Sequence, residues 1–205
     1  MKIKICGMRD YTNIIDVSKL NPDYMGFIFY KKSKRFFKGD IPNISSKIEK
    51  IAVFVNERTD KIIETLNKHD INIVQLHGDE NIEFCKELKK KNFTIIKAFN
   101  ISKKFDFKYI NKFNKYCDYY LFDTKGNYPG GNGFKFNWQI LKSYNEVIPY
   151  FLSGGIGIED ANEIIEFSRT KAGRFCVAID INSKCEVKPG VKNINKIKNL
   201  INNLR

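Results

Sequence analysis

Lys2-Ile3-Lys4-Ile5-Cys6-Gly7-Met8-Arg9 stands at the start of the chain. Lysine and isoleucine alternate with the period-two pattern of a strand, and the run stops at a cysteine followed at once by glycine. A first strand ending this way fits two α/β architectures. An open doubly wound sheet would show a glycine-rich turn leading into a long helix, and Cys6-Gly7-Met8-Arg9 lacks its second and third glycines. In a closed (β/α)8 barrel the carboxyl ends of the strands converge on one face, and a thiol at position 6 would project into the cleft there.

The rest of the chain repeats the unit. Strands are predicted over residues 2–6, 24–30, 51–55, 73–76, 94–99, 119–123, 150–153 and 175–180. Helices are predicted over 11–20, 60–69, 81–91, 105–116, 137–143, 159–168 and 194–204, with a further one around 40–48 that Pro42 interrupts. Ile62, Ile63 and Leu66 form a stripe after Thr59, a helix-capping residue type; Ile164, Ile165 and Phe167 follow Glu159 and Asp160 in the same way. Strand–helix alternation repeated about eight times predicts one α/β domain over residues 1–205, a single (β/α)8 TIM barrel. No linker, low-complexity stretch or composition break divides it.

Composition narrows the class. With 205 residues, 42% hydrophobic and 29% charged, the chain is long enough for one full core. No apolar run approaches the ~20 residues that span a bilayer, and the start is a strand pattern where a leader would be charged and then apolar. The expectation is a cytoplasmic protein with no membrane partner. The five cysteines are scattered and form no CxxC pair, so neither a zinc site nor a disulfide framework is expected, and no metal. The net charge of +13 comes from lysines spread along the chain, with Lys31-Lys32-Ser33-Lys34-Arg35 the densest group. Without a basic stripe no nucleic acid is expected as partner; the charge suits an anionic small molecule.

The strand ends collect reactive and anion-binding groups. They are Cys6, Ser33 with Arg35, Asn56, Gln75 with His77, Asp123, Ser153-Gly154-Gly155, and Asp180 with Ser183. Paired glycines let backbone N–H groups approach a ligand closely, and phosphate commonly sits at the loops after strands 7 and 8 of such barrels. Arg35 offers a planar fork for a carboxylate. Pro129-Gly130-Gly131-Asn132-Gly133 forms a breaker-rich loop on the same face, a candidate lid.

Taken in order, these stretches resemble the phosphoribosylanthranilate isomerase family of tryptophan biosynthesis. The resemblance rests on Lys4-Ile5-Cys6-Gly7, Gly26-Phe27-Ile28-Phe29, Ser33, Arg35-Phe36, Val53-Phe54-Val55-Asn56 and Val74-Gln75-Leu76-His77-Gly78. It continues through Phe122-Asp123, Gly130-Gly131, Phe136, Trp138, Ser153-Gly154-Gly155-Ile156, Asp180, Asn182-Ser183, Glu186 and Pro189-Gly190. It implies a TIM barrel that carries out a cofactor-free Amadori rearrangement of a phosphorylated small molecule, as a monomer or homodimer. Carried over by position, Cys6 is the general base and Asp123 the general acid. Arg35, Gln75, His77, Gly131, Ser153, Gly154, Gly155, Asp180 and Ser183 are the substrate-binding residues, Arg35 for the anthranilate carboxylate and the glycine loop after strand 7 with Ser183 for the phosphate. The chemistry agrees: a carboxyl in an apolar setting can donate a proton near neutrality, and a thiol lowered by nearby cations can accept one. Lys184 and Cys185 depart from the Gly-Val common in the family at that place.

Overall fold

The computed structural model describes residues 1–124, 135–144 and 147–205. Eight strands, β1 (Lys2–Cys6), β2 (Tyr24–Ile28), β3 (Glu49–Phe54), β4 (Ile73–Leu76), β5 (Thr94–Ile101), β6 (Tyr119–Thr124), β7 (Tyr150–Leu152) and β8 (Cys176–Ile181), form a closed barrel in chain order. Neighbours are parallel, and β8 closes on β1 with Lys4 opposite Asp180. Each strand buries both faces, which is why the strands are so apolar in sequence. Tyr24, Ile51, Ile73, Ile96, Leu121, Phe151 and Ala178 cluster with Cys6 as one core, while Ile3, Ile5, Phe27, Phe54 and Phe122 belong to the larger core that includes the helices.

The barrel is filled differently at its two ends. Toward the amino ends of the strands Phe151 meets Tyr24 and Tyr119 edge-on, at centroid distances of 5.2 and 5.5 Å. Tyr24 and Phe151 are buried, and together with Tyr119, Ile73 and Ile96 they line a cavity at this end of the barrel. Toward the carboxyl ends the buried set turns polar, with Lys4, Gln75, Asp123 and Asp180 all at most 5% exposed. One end is therefore lined with aromatic and apolar side chains, and the other is floored with groups that can do chemistry.

Five α-helices cover the barrel: α1 (Tyr11–Ser18), α2 (Thr59–His69), α3 (Ile82–Lys89), α4 (Ala161–Ser168) and α5 (Ile194–Leu204). The apolar stripes fall where the pattern placed them, with Ile62, Leu66, Ile164 and Phe167 buried. Asp10, Asn81 and Asn193 cap α1, α3 and α5 by accepting a backbone N–H three residues on. Thr59 does not cap α2; Arg58 holds the N-cap position, and the Thr59 hydroxyl lies 3.1 Å from Glu87.

Three connections differ from the predicted helices. Residues 40–48 form no helix, since Pro42 lies among Asp40, Asn43, Ser45 and Ser46, residues that favour turns. The segments before β6 and β7 are 3-10 helices, Phe107–Phe113 and Trp138–Ser143. In each, the residue just ahead, Asp106 or Asn137, accepts the N–H two residues on at 2.9 Å and so starts the chain on a tighter turn. A short hairpin after β8, β9 (Glu186–Lys188) and β10 (Val191–Lys192), was not predicted. Among the described residues no helix is long and apolar enough to cross a membrane.

Candidate active site

Cys6 ends β1 with 4% of its surface exposed. Its neighbour in register on β2 is Gly26, where a Cβ would lie 2.8 Å from the Cys6 Sγ, so glycine is what makes room for the thiol. Gly7 follows at φ +75°, and a Cβ there would lie 2.7 Å from both Arg35 Cδ and Asn182 Oδ1. Bare backbone at positions 7 and 26 thus lets the thiol, Arg35 and Asn182 crowd together.

A row of buried polar side chains crosses the floor from there. Lys4 lies two residues below Cys6 on the same inward face and is wholly buried. Its Nζ donates to Gln75 Oε1 at 2.6 Å and sits 3.0 Å from Asp180 Oδ1, close enough for an ion pair but not aligned as a hydrogen bond. Asp180 Oδ2 accepts from Ser153 Oγ at 3.1 Å. Gln75 Nε2 lies 2.7 Å from His77 Nδ1, and His77 Nε2 lies 3.3 Å from Asp123 Oδ2. Asp123 Oδ1 accepts the Thr124 N–H at 2.7 Å. Cys6, Gln75, His77, Asp123, Ser153 and Asp180 are therefore brought together, as the strand ends suggested.

Burial is the strongest influence on the Cys6 thiol and pushes it above its ordinary value. Lys4 and Lys192 pull it down, Asp180 pushes it up again, and the net direction is upward. The cations expected beside the thiol are present, but they are outweighed. Lys4 shows the opposite balance: burial disfavours its charge, yet Asp180 and Cys6 raise it, so it stays an ammonium.

Arg35 is already engaged. Its Nε lies 2.9 and 3.1 Å from the two Glu186 oxygens and its Nη2 lies 2.6 Å from Oε2, a bidentate fork. Glu186 also accepts from the Gly190 N–H at 3.0 Å and from Lys192 Nζ at 2.8 Å, and Lys192 reaches Asn182 Oδ1 at 2.8 Å. Burial works against the Glu186 charge, but Arg35 and Lys192 hold its carboxyl below the usual range. The hairpin β9–β10 is thus the brace of Arg35. Ser33 supports it from the other side, its hydroxyl accepting the Arg35 N–H at 3.1 Å.

At the third edge, Gly154 (φ +96°) and Gly155 (φ +64°) carry the chain across β6. A Cβ on Gly154 would lie 2.2 Å from Thr124 Oγ1, so no other residue fits that crossing. Ser183 opens the short 3-10 turn Ser183–Cys185. Lys184 points outward to Glu159, 3.1 Å away, joining the loops after β7 and β8, while Cys185 is buried beneath. Gly131 and the breaker-rich loop at 129–133 lie outside the described residues.

A second buried ion pair supports the row from outside the barrel. Lys97 Nζ lies 3.1 Å from Glu80 Oε2 and 2.7 Å from Gly78 O, both side chains being at most 3% exposed. Glu80 in turn accepts the N–H groups of Asn56 and Gly78 at 2.8 and 2.9 Å. Asn56 is thereby a loop-building residue, its Oδ1 accepting the Asp79 N–H at 2.7 Å. Lys97→Met should cost about 3–5 kcal/mol, because it strands the Glu80 charge; chemical denaturation measures this, and a loss under about 1 kcal/mol would mean that water or another cation compensates.

Sequence reasoning named no role for Lys4, Glu186 or Lys192. Lys4 carried a signal: a lysine two residues before Cys6 in a strand buried on both faces must find a partner inside. Glu186 was visible only as one residue of the family resemblance, and Lys192 carried no signal, since their hairpin was not foreseen.

This geometry can be set beside known proteins. The family model described as N-(5′-phosphoribosyl)anthranilate (PRA) isomerase matches residues 3–203. The N-(5′-phosphoribosyl)anthranilate isomerase of Parabacteroides distasonis is 41% identical over 209 residues, covering 98% of this chain and 92% of that protein. The crystal structure of phosphoribosyl anthranilate isomerase from Thermotoga maritima superposes with a TM-score of 0.85 at 29% identity, covering 100% of this chain and 98% of that one. A structure of such an isomerase in complex with reduced 1-(o-carboxyphenylamino)-1-deoxyribulose 5-phosphate superposes at 0.83 with 28% identity and the same coverage. The match runs from β1 through α5 and takes in every strand end that feeds the buried row, and on that extent the chain belongs to the N-(5′-phosphoribosyl)anthranilate isomerase family.

Proposed function

We propose that this chain isomerises N-(5′-phosphoribosyl)anthranilate to 1-(2-carboxyphenylamino)-1-deoxyribulose 5-phosphate in tryptophan biosynthesis, with Cys6 as general base and Asp123 as general acid. The observation that carries the reading is the buried polar row, which puts a thiol and a carboxyl at the carboxyl ends of β1 and β6 on one floor.

The reaction needs few protein groups. Asp123 gives a proton to the furanose ring oxygen; the C1′–O bond breaks, and the nitrogen lone pair forms the Schiff base. The Cys6 thiolate then takes the C2′ proton, the C2′–H electron pair moves toward C1′ and nitrogen, and an enolamine results. Loss of the C2′ hydroxyl proton and protonation at C1′ give the ketone. One positioned acid and one positioned base account for these steps. Burial of both groups suits a Schiff base that water would otherwise hydrolyse.

Arg35 is the anchor for the anthranilate carboxylate. Glu186 and Lys192 fix the guanidinium before substrate arrives, so little rotamer freedom is lost on binding. The loops at Ser153-Gly154-Gly155 and Ser183 take the phosphate through backbone N–H groups. Lys184 pairs with Glu159 at the exposed surface beside that site.

The test is turnover of N-(5′-phosphoribosyl)anthranilate by the purified chain, together with rescue of a tryptophan auxotroph lacking this isomerase. Conversion and rescue are expected, and absence of both would refute the assignment. Arg35→Ala should raise KM about ten- to a hundredfold with a smaller effect on kcat, the loss of a charge-assisted carboxylate contact. Steady-state kinetics decide this, and an unchanged KM would place the carboxylate elsewhere.

A further inference from the structure

We propose that Lys4 and Gln75 are positioning residues that fix the proton of His77 on Nε2, so that His77 presents an N–H to Asp123. The proposal rests on the reading of Asp123 as the acid, and its test separates the two.

The argument follows donors and acceptors along the row. A lysine ammonium has three donors and no acceptor, so the Gln75 atom 2.6 Å from Lys4 Nζ must be the carbonyl oxygen. The amide nitrogen is then the atom 2.7 Å from His77 Nδ1. Because it can only donate, Nδ1 must accept. A neutral imidazole carries one proton, and with Nδ1 accepting, that proton sits on Nε2.

Nε2 is buried, lies 3.3 Å from Asp123 Oδ2, and has no aligned hydrogen-bond partner at rest. The other Asp123 oxygen already takes the Thr124 N–H. With an N–H on the side of Oδ2, a proton on the acid has no acceptor at His77 and is left for the substrate. Once that proton has left, the new carboxylate meets a waiting donor. The contact is therefore stronger after transfer than before it, the condition for lowering a barrier as opposed to merely binding.

The chain has two histidines, so imidazole 15N spectra are simple to assign. In the wild type, His77 is expected as a single tautomer protonated at Nε2. Gln75→Glu replaces the donor with a carboxylate oxygen, which should move a proton onto Nδ1 and lower kcat about tenfold, the worth of one hydrogen bond, with KM little changed. Lys4→Met frees the amide to turn and should give a mixture of tautomers; Lys4→Arg, which keeps an obligate donor, should preserve the wild-type spectrum. Wild-type His77 protonated at Nδ1 overturns the proposal even if every variant misfolds, as does a folded Gln75→Glu with unaltered spectrum and kcat. Full turnover by Asp123→Asn would remove Asp123 as the acid while leaving the tautomer result standing.

Discussion

Cys6→Ser is expected to lower kcat by about 10²- to 10⁴-fold, the usual weight of a general base, while the barrel stays folded. The substitution fits without a clash, because a hydroxyl is smaller than a thiol and takes the space that Gly26 leaves for the Cys6 side chain. It removes basicity, since a serine hydroxyl ionises far above any thiol, even one that burial has raised. The pH profile of the wild type carries the same information. On the proposed mechanism Cys6 works as the thiolate, and burial shifts its deprotonation above the ordinary thiol value. Because Asp123 must be protonated while Cys6 is deprotonated, the kcat/KM of the free enzyme is expected as a bell-shaped function of pH, with one sloping limb set by the thiol. In Cys6→Ser that slope should vanish. A serine variant with kcat within a few fold of wild type would remove Cys6 as the base.

The companion result is expected at Asp123. Asparagine matches aspartate in shape, but its single carbonyl oxygen can accept either the Thr124 N–H or the His77 N–H and not both. It has no proton to give to a departing ring oxygen. Asp123→Asn should lower kcat by about 10²- to 10⁴-fold with KM within a few fold, the pattern of a group that acts only in the transition state. A raised KM at unchanged kcat would make Asp123 a binding group. Measuring both constants for each variant by steady-state kinetics separates the roles.

The parts of this site that could be seen in the sequence are those governed by local pattern. Strand periodicity put Cys6 and Asp123 at strand ends, and a closed barrel has only one face on which those ends meet. Lys4, Gln75 and Asp180 share the barrel's buried interior, but which of them touch depends on the registers β1–β8 and β3–β4, and registers are not local. Arg35 shows the limit more sharply. Its charge and place after strand 2 pointed to a carboxylate; that Glu186 occupies its fork, 151 residues on, could not be foreseen without the hairpin at 186–192. The thiol shows how a sign can be missed. The thiol was expected to work if cations lowered it; Lys4 and Lys192 are there, but the desolvation that outweighs them follows from the depth of the barrel floor, which residue types alone do not give. The helices mistaken in kind fail for a local reason: Asp106 and Asn137 bind their own backbone two residues on and turn an α start into a 3-10 one.

The central claim is that one sugar phosphate bridges Cys6 and Asp123 at the carboxyl end of the barrel. A crystal structure of this chain with reduced 1-(o-carboxyphenylamino)-1-deoxyribulose 5-phosphate measures this directly. C2′ is expected about 3–3.5 Å from the Cys6 Sγ, with Asp123 facing the oxygen of the opened ring and the carboxylate on Arg35. An analogue bound with C2′ turned away from Cys6, or held at the other end of the barrel, would contradict the account.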